Sequence, residues 1–214
     1  MIAYKFRSAT EIAFAFDIII KKRLHCSEWI NLNDPMEGMF AYSRGTKPGF
    51  DIAKRVMGIT EAKRKYKICS LSATYDSHLL WAHYAGGFAG VAIEIELPEN
   101  DPRIKKVEAR GVFAFVDLES ALDEDAVAKT ILFSKYEEWA YEKEIRILHD
   151  QTFFKLEKPI KRVIAGHRMP KALFQVLNIT CNGLGITFNK IGIGERGLYL
   201  DPVPPPKSVK KTLS

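Results

Sequence analysis

Val91-Ala92-Ile93-Glu94-Ile95-Glu96-Leu97 decides the reading of the fold. Val91, Ile93, Ile95 and Leu97 alternate with Ala92, Glu94 and Glu96, the period-two pattern of a strand with one buried face. Upstream, Ile68 to Ser72 reads as a second short strand. Ser77 is placed to cap a helix through Tyr84 that Gly86-Gly87 ends. Residues 51–67 read as a helix with an exposed basic face of Lys54, Arg55, Lys63, Arg64, Lys65 and Lys67. Asn31-Leu32-Asn33-Asp34-Pro35 is a dense turn signal. At the start of the chain, Ile2 to Phe6 forms a strand, and Ser8 with Glu11 makes a capping box. The helix it opens carries Ile12, Phe16, Ile19 and Ile20 at helical spacing and ends on Lys21, Lys22 and Arg23, where the dipole favours cations.

Downstream, residues 117–139 are acidic and helix-prone, and Tyr141 to Leu148 returns to period two. Ile160 to Ala165 is a strand, Pro170 opens a helix at its favoured first position, and late strands follow at Ile186 to Ile193 and Leu198 to Leu200. Strands and short helices mix without a βαβ rhythm. The expected class is therefore α+β: one domain over 1–201, a mixed central sheet flanked by short helices, and a mobile basic Pro/Lys tail over 202–214.

A chain of 214 residues, 47% hydrophobic and 27% charged, can bury a core without staples and is not disordered as a whole. Lys and Arg outnumber Asp and Glu by 32 to 26, a net charge of +6 that permits a polyanionic partner without demanding one. Cys26, Cys69 and Cys181 are odd in number and lack CxxC spacing, which argues against a disulfide framework or a cysteine zinc site. The apolar run from Ile12 to Ile20 is broken by Asp17 and is far shorter than a span. A cytoplasmic protein without a membrane partner is expected.

P-loop, GxSxG, HExxH and usable GxGxxG patterns are missing. Three constellations remain. Glu142-Lys-Glu144-Ile-Arg146, read as a strand, sends two carboxylates and a guanidinium to one face, an arrangement that splits pKa values or grips a hydroxylated ligand. The plainer alternative is a solvated face with an Arg–Glu pair. Ser70, Ser72, Trp81, His83 and Tyr84 lead into the Gly86-Gly87 turn, where a His–Tyr pair can serve a ligand hydroxyl. A structural histidine over a core tryptophan is the alternative. Asn33-Asp34-Pro35 with Glu37 reads either as substrate contacts or as a self-capping turn.

In order and spacing, Tyr4-Lys5-Phe6-Arg7, Asn33-Asp34-Pro35-x-Glu37, Ser70-Leu71-Ser72, Trp81-x-His83-Tyr84, Trp139-x-Tyr141-Glu142-x-Glu144-x-Arg146 and Val163-Ile164-x-Gly166 resemble the bacterial family filed as domain of unknown function 2971. That name carries no activity. A second resemblance does: ADP-ribosyltransferases carry a basic residue on an early strand, a Ser- or Tyr-bearing strand in mid-domain, and a late Glu within Glu-x-Glu. The opening strand followed at once by a helix is also similar to the DNA-targeting toxin branch of that superfamily, although Lys5 stands here where that branch has a histidine.

This resemblance implies an NAD-consuming transferase, a toxin or phage-defence effector, with NAD as substrate and no metal. Glu144 is then the catalytic carboxylate and Glu142 positions or deprotonates the acceptor. Lys5, Arg7, Ser70, Ser72, His83, Tyr84 and Arg146 hold NAD, and Asn33, Asp34 and Glu37 contact substrate. The acceptor is a nucleic acid or protein, and an antitoxin or immunity protein is an expected partner. Two other classes stay open: a Mg²⁺-dependent nuclease using Asp34, Glu37 and Glu142 or Glu144, and a non-catalytic module binding nucleic acid through the helix at 51–67 and the lysine tail.

Overall fold

The computed structural model describes residues 1–43, 47–111 and 113–206. The strands are β1 (Ile2–Arg7), β2 (Arg23–His25), β3 (Ser27–Glu28), β4 (Phe40–Tyr42), β5 (Lys67–Ser72), β6 (Val91–Glu96), β7 (Ile104–Lys106) and β8 (Glu108–Ala109). They continue with β9 (Ala114–Val116), β10 (Ser134–Lys135), β11 (Glu144–His149), β12 (Phe153–Lys155), β13 (Arg162–Ala165), β14 (Thr187–Gly194) and β15 (Gly197–Pro202). Among the described residues five α-helices accompany them: α1 (Ile12–Lys21), α2 (Ile52–Arg64), α3 (His78–Tyr84), α4 (Glu124–Leu132) and α5 (Lys171–Gly183). The class is α+β, with mixed pairing and short helices. The chain divides into two compact units, each assembled from separate stretches: 1–22, 74–97 and 157–214 in the first, 23–73 and 98–156 in the second.

In the first unit the strand order is β15-β14-β13-β6-β1, parallel at β13/β14 and antiparallel elsewhere. The decisive strand, β6, is central here. Val91, Ile93 and Ile95 are buried as their alternation requires, and Ala92 is buried as well, so both faces of this strand, paired with β1 and β13, are covered there. Trp81 of α3 packs edge-on against Phe6 and stacks with Phe88. Gly86 and Gly87, both at positive φ, end α3 as the sequence indicates.

Local capping differs from expectation. Ser8 bonds to the Glu11 carboxylate and not to a backbone amide, so the chain first makes a 3-10 turn over Ala9–Glu11 before α1. Ser77 makes no side-chain cap, and Pro170 sits one position before α5 and not inside it. Gly90 has a strict reason: a Cβ there would lie 2.0 Å from the Arg7 carbonyl oxygen. Gly90→Ala must move backbone at the end of β1. It is expected to cost about 1–3 kcal/mol or more, read as a lowered urea midpoint.

In the second unit β3, β5, β11 and β7 pair antiparallel in that order. Ribbons β2/β12 (antiparallel), β4/β9 and β8/β10 (both parallel) accompany it. Helix α2 is shorter than the expected 51–67. Asp51 caps it by accepting from the Lys54 amide at 2.9 Å. Within the acidic stretch 117–139, α4 is the α-helical part, capped by Asp123, and β10 and a 3-10 helix from Glu137 follow it. One core joins Ile59, Val116, Leu118, Val127 and Ile131, and another joins Ile68, Leu132, Phe133 and Leu148. The three cysteines are buried free thiols. Among the described residues, no helix is long and apolar enough to cross a membrane. The tail beyond Pro206, with its lysines, lies outside the described residues.

Candidate functional site

Residues 137–142 form a 3-10 helix, not the start of a strand. Lys143 then takes a left-handed φ of 44°, and β11 begins at Glu144. Glu142 therefore leaves the strand face the sequence assigned to it. The turn is held from β5, where the Ser72 hydroxyl donates to the Glu142 carbonyl at 2.7 Å and the Ala73 amide donates to Lys143 O at 2.9 Å. Glu144 and Arg146 do share a face, as two residues in one strand must.

That face is not solvated. The Arg146 side chain is completely buried, and Glu144 and Glu37 each have 3% of the side chain exposed. Arg146 grips both carboxylates with paired bonds. Nε and Nη2 donate to Glu144 at 3.0 and 2.9 Å, and Nη1 and Nη2 donate to Glu37 at 3.0 Å each. Nη1 also donates to the Leu132 carbonyl at the end of α4. Lys135, on β10, donates to Glu142 at 2.6 Å and to Glu144 at 3.1 Å. Ser70 adds a hydrogen bond to Glu144. Three carboxylates thus meet two cations in a dry setting where each charge depends on its partners.

The electrostatics follow. Burial pushes Glu144 up, but Arg146, Lys135 and the Ser70 donor more than offset it and bring its pKa down to about 2. At Glu37 burial wins over Arg146, with Glu144 adding repulsion, and the carboxyl is raised. Burial also opposes the charges of Lys135 and Arg146, yet the facing carboxylates raise both. The signs oppose each other. Stability supplied by Glu144 is present above pH 4.5 and is lost as pH falls from there towards about 2. The folded state holds the Glu37 proton more tightly than the unfolded chain does, so its contribution declines as pH rises above 4.5. Glu37→Gln should therefore make the pH slope of stability less negative just above pH 4.5, measured by urea unfolding at stepped pH. An unchanged slope contradicts the assignment.

Glu37 reaches Arg146 because its turn is fixed twice. Asp34 is buried and accepts from the Met36 amide at 2.9 Å, the self-capping alternative for this stretch. Lys63 donates to the Gly38 carbonyl at 2.6 Å, with its ammonium 4.3 Å from the Trp29 ring centre and 5.2 Å from that of Phe40. Lys63, expected on the exposed basic face, is buried instead, and burial lowers its pKa to about 8. The signal was present in the sequence, since Lys63 follows Val56 and Ile59 at helical spacing. The rest of that face is also thinner than expected: Arg55 pairs with Glu124, and Lys67 lies in β5 and donates to Thr152. Lys135 carries a similar signal, since in a helix through 139 it follows Ala128, Ile131 and Leu132 at helical spacing.

The second unit thus gathers Glu37, Glu142, Glu144 and Arg146, with Ser70 and Ser72 on the adjoining strand: Ser72 stands opposite Glu144, and Ser70 opposite Arg146. Asn33 is exposed. Lys5, Arg7, His83 and Tyr84 belong to the first unit. Lys5, Arg7 and Tyr84 are half-buried, Arg7 lies 5.5 Å over the Phe14 ring, and His83 is exposed. An open groove of about 740 Å³ beside α2, lined by Tyr42, Ile52, Val56, Met57 and Arg64 among others, uses none of the expected site residues. Among the described residues, no group of three His, Cys, Asp or Glu side chains is arranged to hold a metal ion. Comparison with known protein families, curated proteins and solved structures gives no match.

Proposed function

We propose that this chain is an NAD-consuming enzyme of ADP-ribosyltransferase type, similar to the family filed as domain of unknown function 2971, and acts on a nucleic-acid or protein acceptor as a toxin or defence effector. One observation carries the reading. The serine-bearing strand β5 and the glutamate-bearing strand β11, related only by motif order in the sequence, are antiparallel neighbours with Ser72 opposite Glu144.

The chemistry requires a carboxylate that stays ionised while positive charge builds on the ribose and nicotinamide departs with the bonding electron pair. Glu144, held near pKa 2, meets that requirement at every working pH. Its charge acts within a cluster that keeps one carboxylate in surplus over its two cations when all five groups are ionised. Glu142, at the turn before the strand, is assigned to the acceptor, which attacks the ribosyl carbon and loses its proton.

The nuclease alternative receives no such support. A hard cation needs the carboxylate oxygens themselves, and Glu37 and Glu144 each spend both on Arg146, whereas the transferase reading uses the charge of Glu144 with those bonds in place. The test is incubation of the full chain with NAD labelled on its adenylate half, together with single-stranded DNA, RNA or lysate protein. Release of nicotinamide with transfer of label is expected. Intact NAD under enzyme excess would overturn the reading.

A further inference from the structure

The ribbon β2/β12 in the second unit lies outside the cluster just described, and its two faces differ sharply. Leu24 and Phe154, directly paired, are buried at 0% and 5% exposure. Strand alternation then turns Arg23, His25, Phe153 and Lys155 to the opposite face. The register sets Phe153 against His25 and Lys155 against Arg23.

Two features of that face suit a ligand. Arg23 and Lys155 place two cations directly across the antiparallel pair. Phe153 keeps 39% of its surface exposed, although it is large and apolar. The Arg23 guanidinium lies 3.7 Å from the Phe153 ring centre, and the His25 ring meets the same ring edge-on with centroids 5.6 Å apart. A cation stacked on an aromatic ring presents a planar, charged platform. The buried side anchors it: the Cys26 amide donates to the Thr152 carbonyl at 2.8 Å, and the Lys67 ammonium donates to the Thr152 hydroxyl at 2.7 Å.

We propose that the outer face of the β2/β12 ribbon binds single-stranded nucleic acid, with a base stacked on the Arg23–Phe153 platform and a neighbouring phosphate held by Lys155. Bases stack on guanidinium planes and aromatic rings without regard to sequence, and the exposed Lys155 beside the platform supplies a cation for the neighbouring phosphate. A duplex keeps its base faces stacked internally and so cannot use the platform. An anionic lipid surface would use the charges but not the ring. The surface does not depend on NAD chemistry, so its failure and the failure of the transferase reading are separate results.

The test is fluorescence anisotropy of the full chain with a labelled oligothymidylate of about 12 nucleotides, titrated between about 50 and 200 mM salt. Lys155→Gln, an exposed change, should flatten the slope of log affinity against log salt by about 0.7, the value for one phosphate on a single strand. Phe153→Leu should weaken binding about tenfold at unchanged slope, because stacking is lost and charge is kept. Arg23→Lys should weaken it similarly for the same reason. Absence of binding would overturn the proposal. So would wild-type affinity and slope in folded Lys155→Gln and Phe153→Leu, or loss of binding only in Lys54→Gln and Lys65→Gln on α2. Equal binding to phosphatidylserine vesicles, indifferent to Phe153→Leu, would assign the face to a membrane surface and overturn it too.

Discussion

Arg146→Met is expected to lower the free energy of unfolding by about 3–5 kcal/mol, the scale of removing one partner from a buried ion pair. Arg146 is fully buried and donates to Glu37, Glu144 and the Leu132 carbonyl, so its loss leaves two carboxylates without their shared cation and one carbonyl without its donor. Lys135 can compensate Glu144 in part, since its ammonium is already 3.1 Å away, whereas on Glu37 it acts as a nearby charge. The methionine fills most of the arginine's volume, so a cavity contributes little and the cost is chiefly electrostatic. Arg146→Lys should recover little, because one ammonium cannot reproduce the paired bonds to two carboxylates. Glu37→Leu placed on top of Arg146→Met should restore part of the loss by removing the most exposed consequence, a buried carboxylate whose pKa is raised even beside its arginine. Urea unfolding followed by tryptophan fluorescence reads all three. A loss below about 1 kcal/mol for Arg146→Met would mean that water reaches the cluster and screens its charges.

Which of these facts could be read from the sequence depends on the range of the interaction. Strand β6 was legible because alternation over seven residues is local and its neighbours reinforce it. The Asp34 turn was legible because an Asx side chain bonds two residues ahead. Glu144 and Arg146 on one face followed from strand period alone. Their burial did not, because the residues that cover them come from elsewhere: Glu37 lies 109 residues before Arg146, and Lys135 sits on a two-residue strand paired to β8. A Glu-x-Glu-x-Arg pattern reads as solvated until its countercharges are found at a distance. The same applies to the β2/β12 face. Arg23 reads as a dipole-compensating residue at the end of α1, and the pairing with Phe153–Lys155 gives it a further neighbour. Glu142 was misplaced for the opposite reason, since a purely local event, the left-handed Lys143, ended the periodicity that the alternation seemed to extend.

Glu144→Gln is expected to reduce NAD turnover by about 100-fold, the scale of losing one preorganised charge opposite a cationic transition state. In a solvated cleft the substitution would leave folding almost untouched. Here it cannot, because Glu144 bonds to Arg146 through both oxygens and to Lys135 through one, and the amide replaces an acceptor of those bonds with a donor facing cations. A stability cost of about 1–3 kcal/mol accompanies the change, so turnover must be compared per folded molecule, at a temperature well below both melting points. Glu37→Gln provides the matched control. It removes a carboxylate from the same guanidinium without touching the strand that faces Ser72. If Glu144 acts on the ribosyl cation, Glu144→Gln loses far more turnover than Glu37→Gln at comparable stability. Glu142→Gln should spare NAD hydrolysis and impair transfer, since its assigned task concerns the acceptor. Equal losses in Glu144→Gln and Glu37→Gln, tracking stability alone, would make the cluster an architectural clamp between β11, β10 and the Glu37 turn, and would leave the transferase reading without its carboxylate.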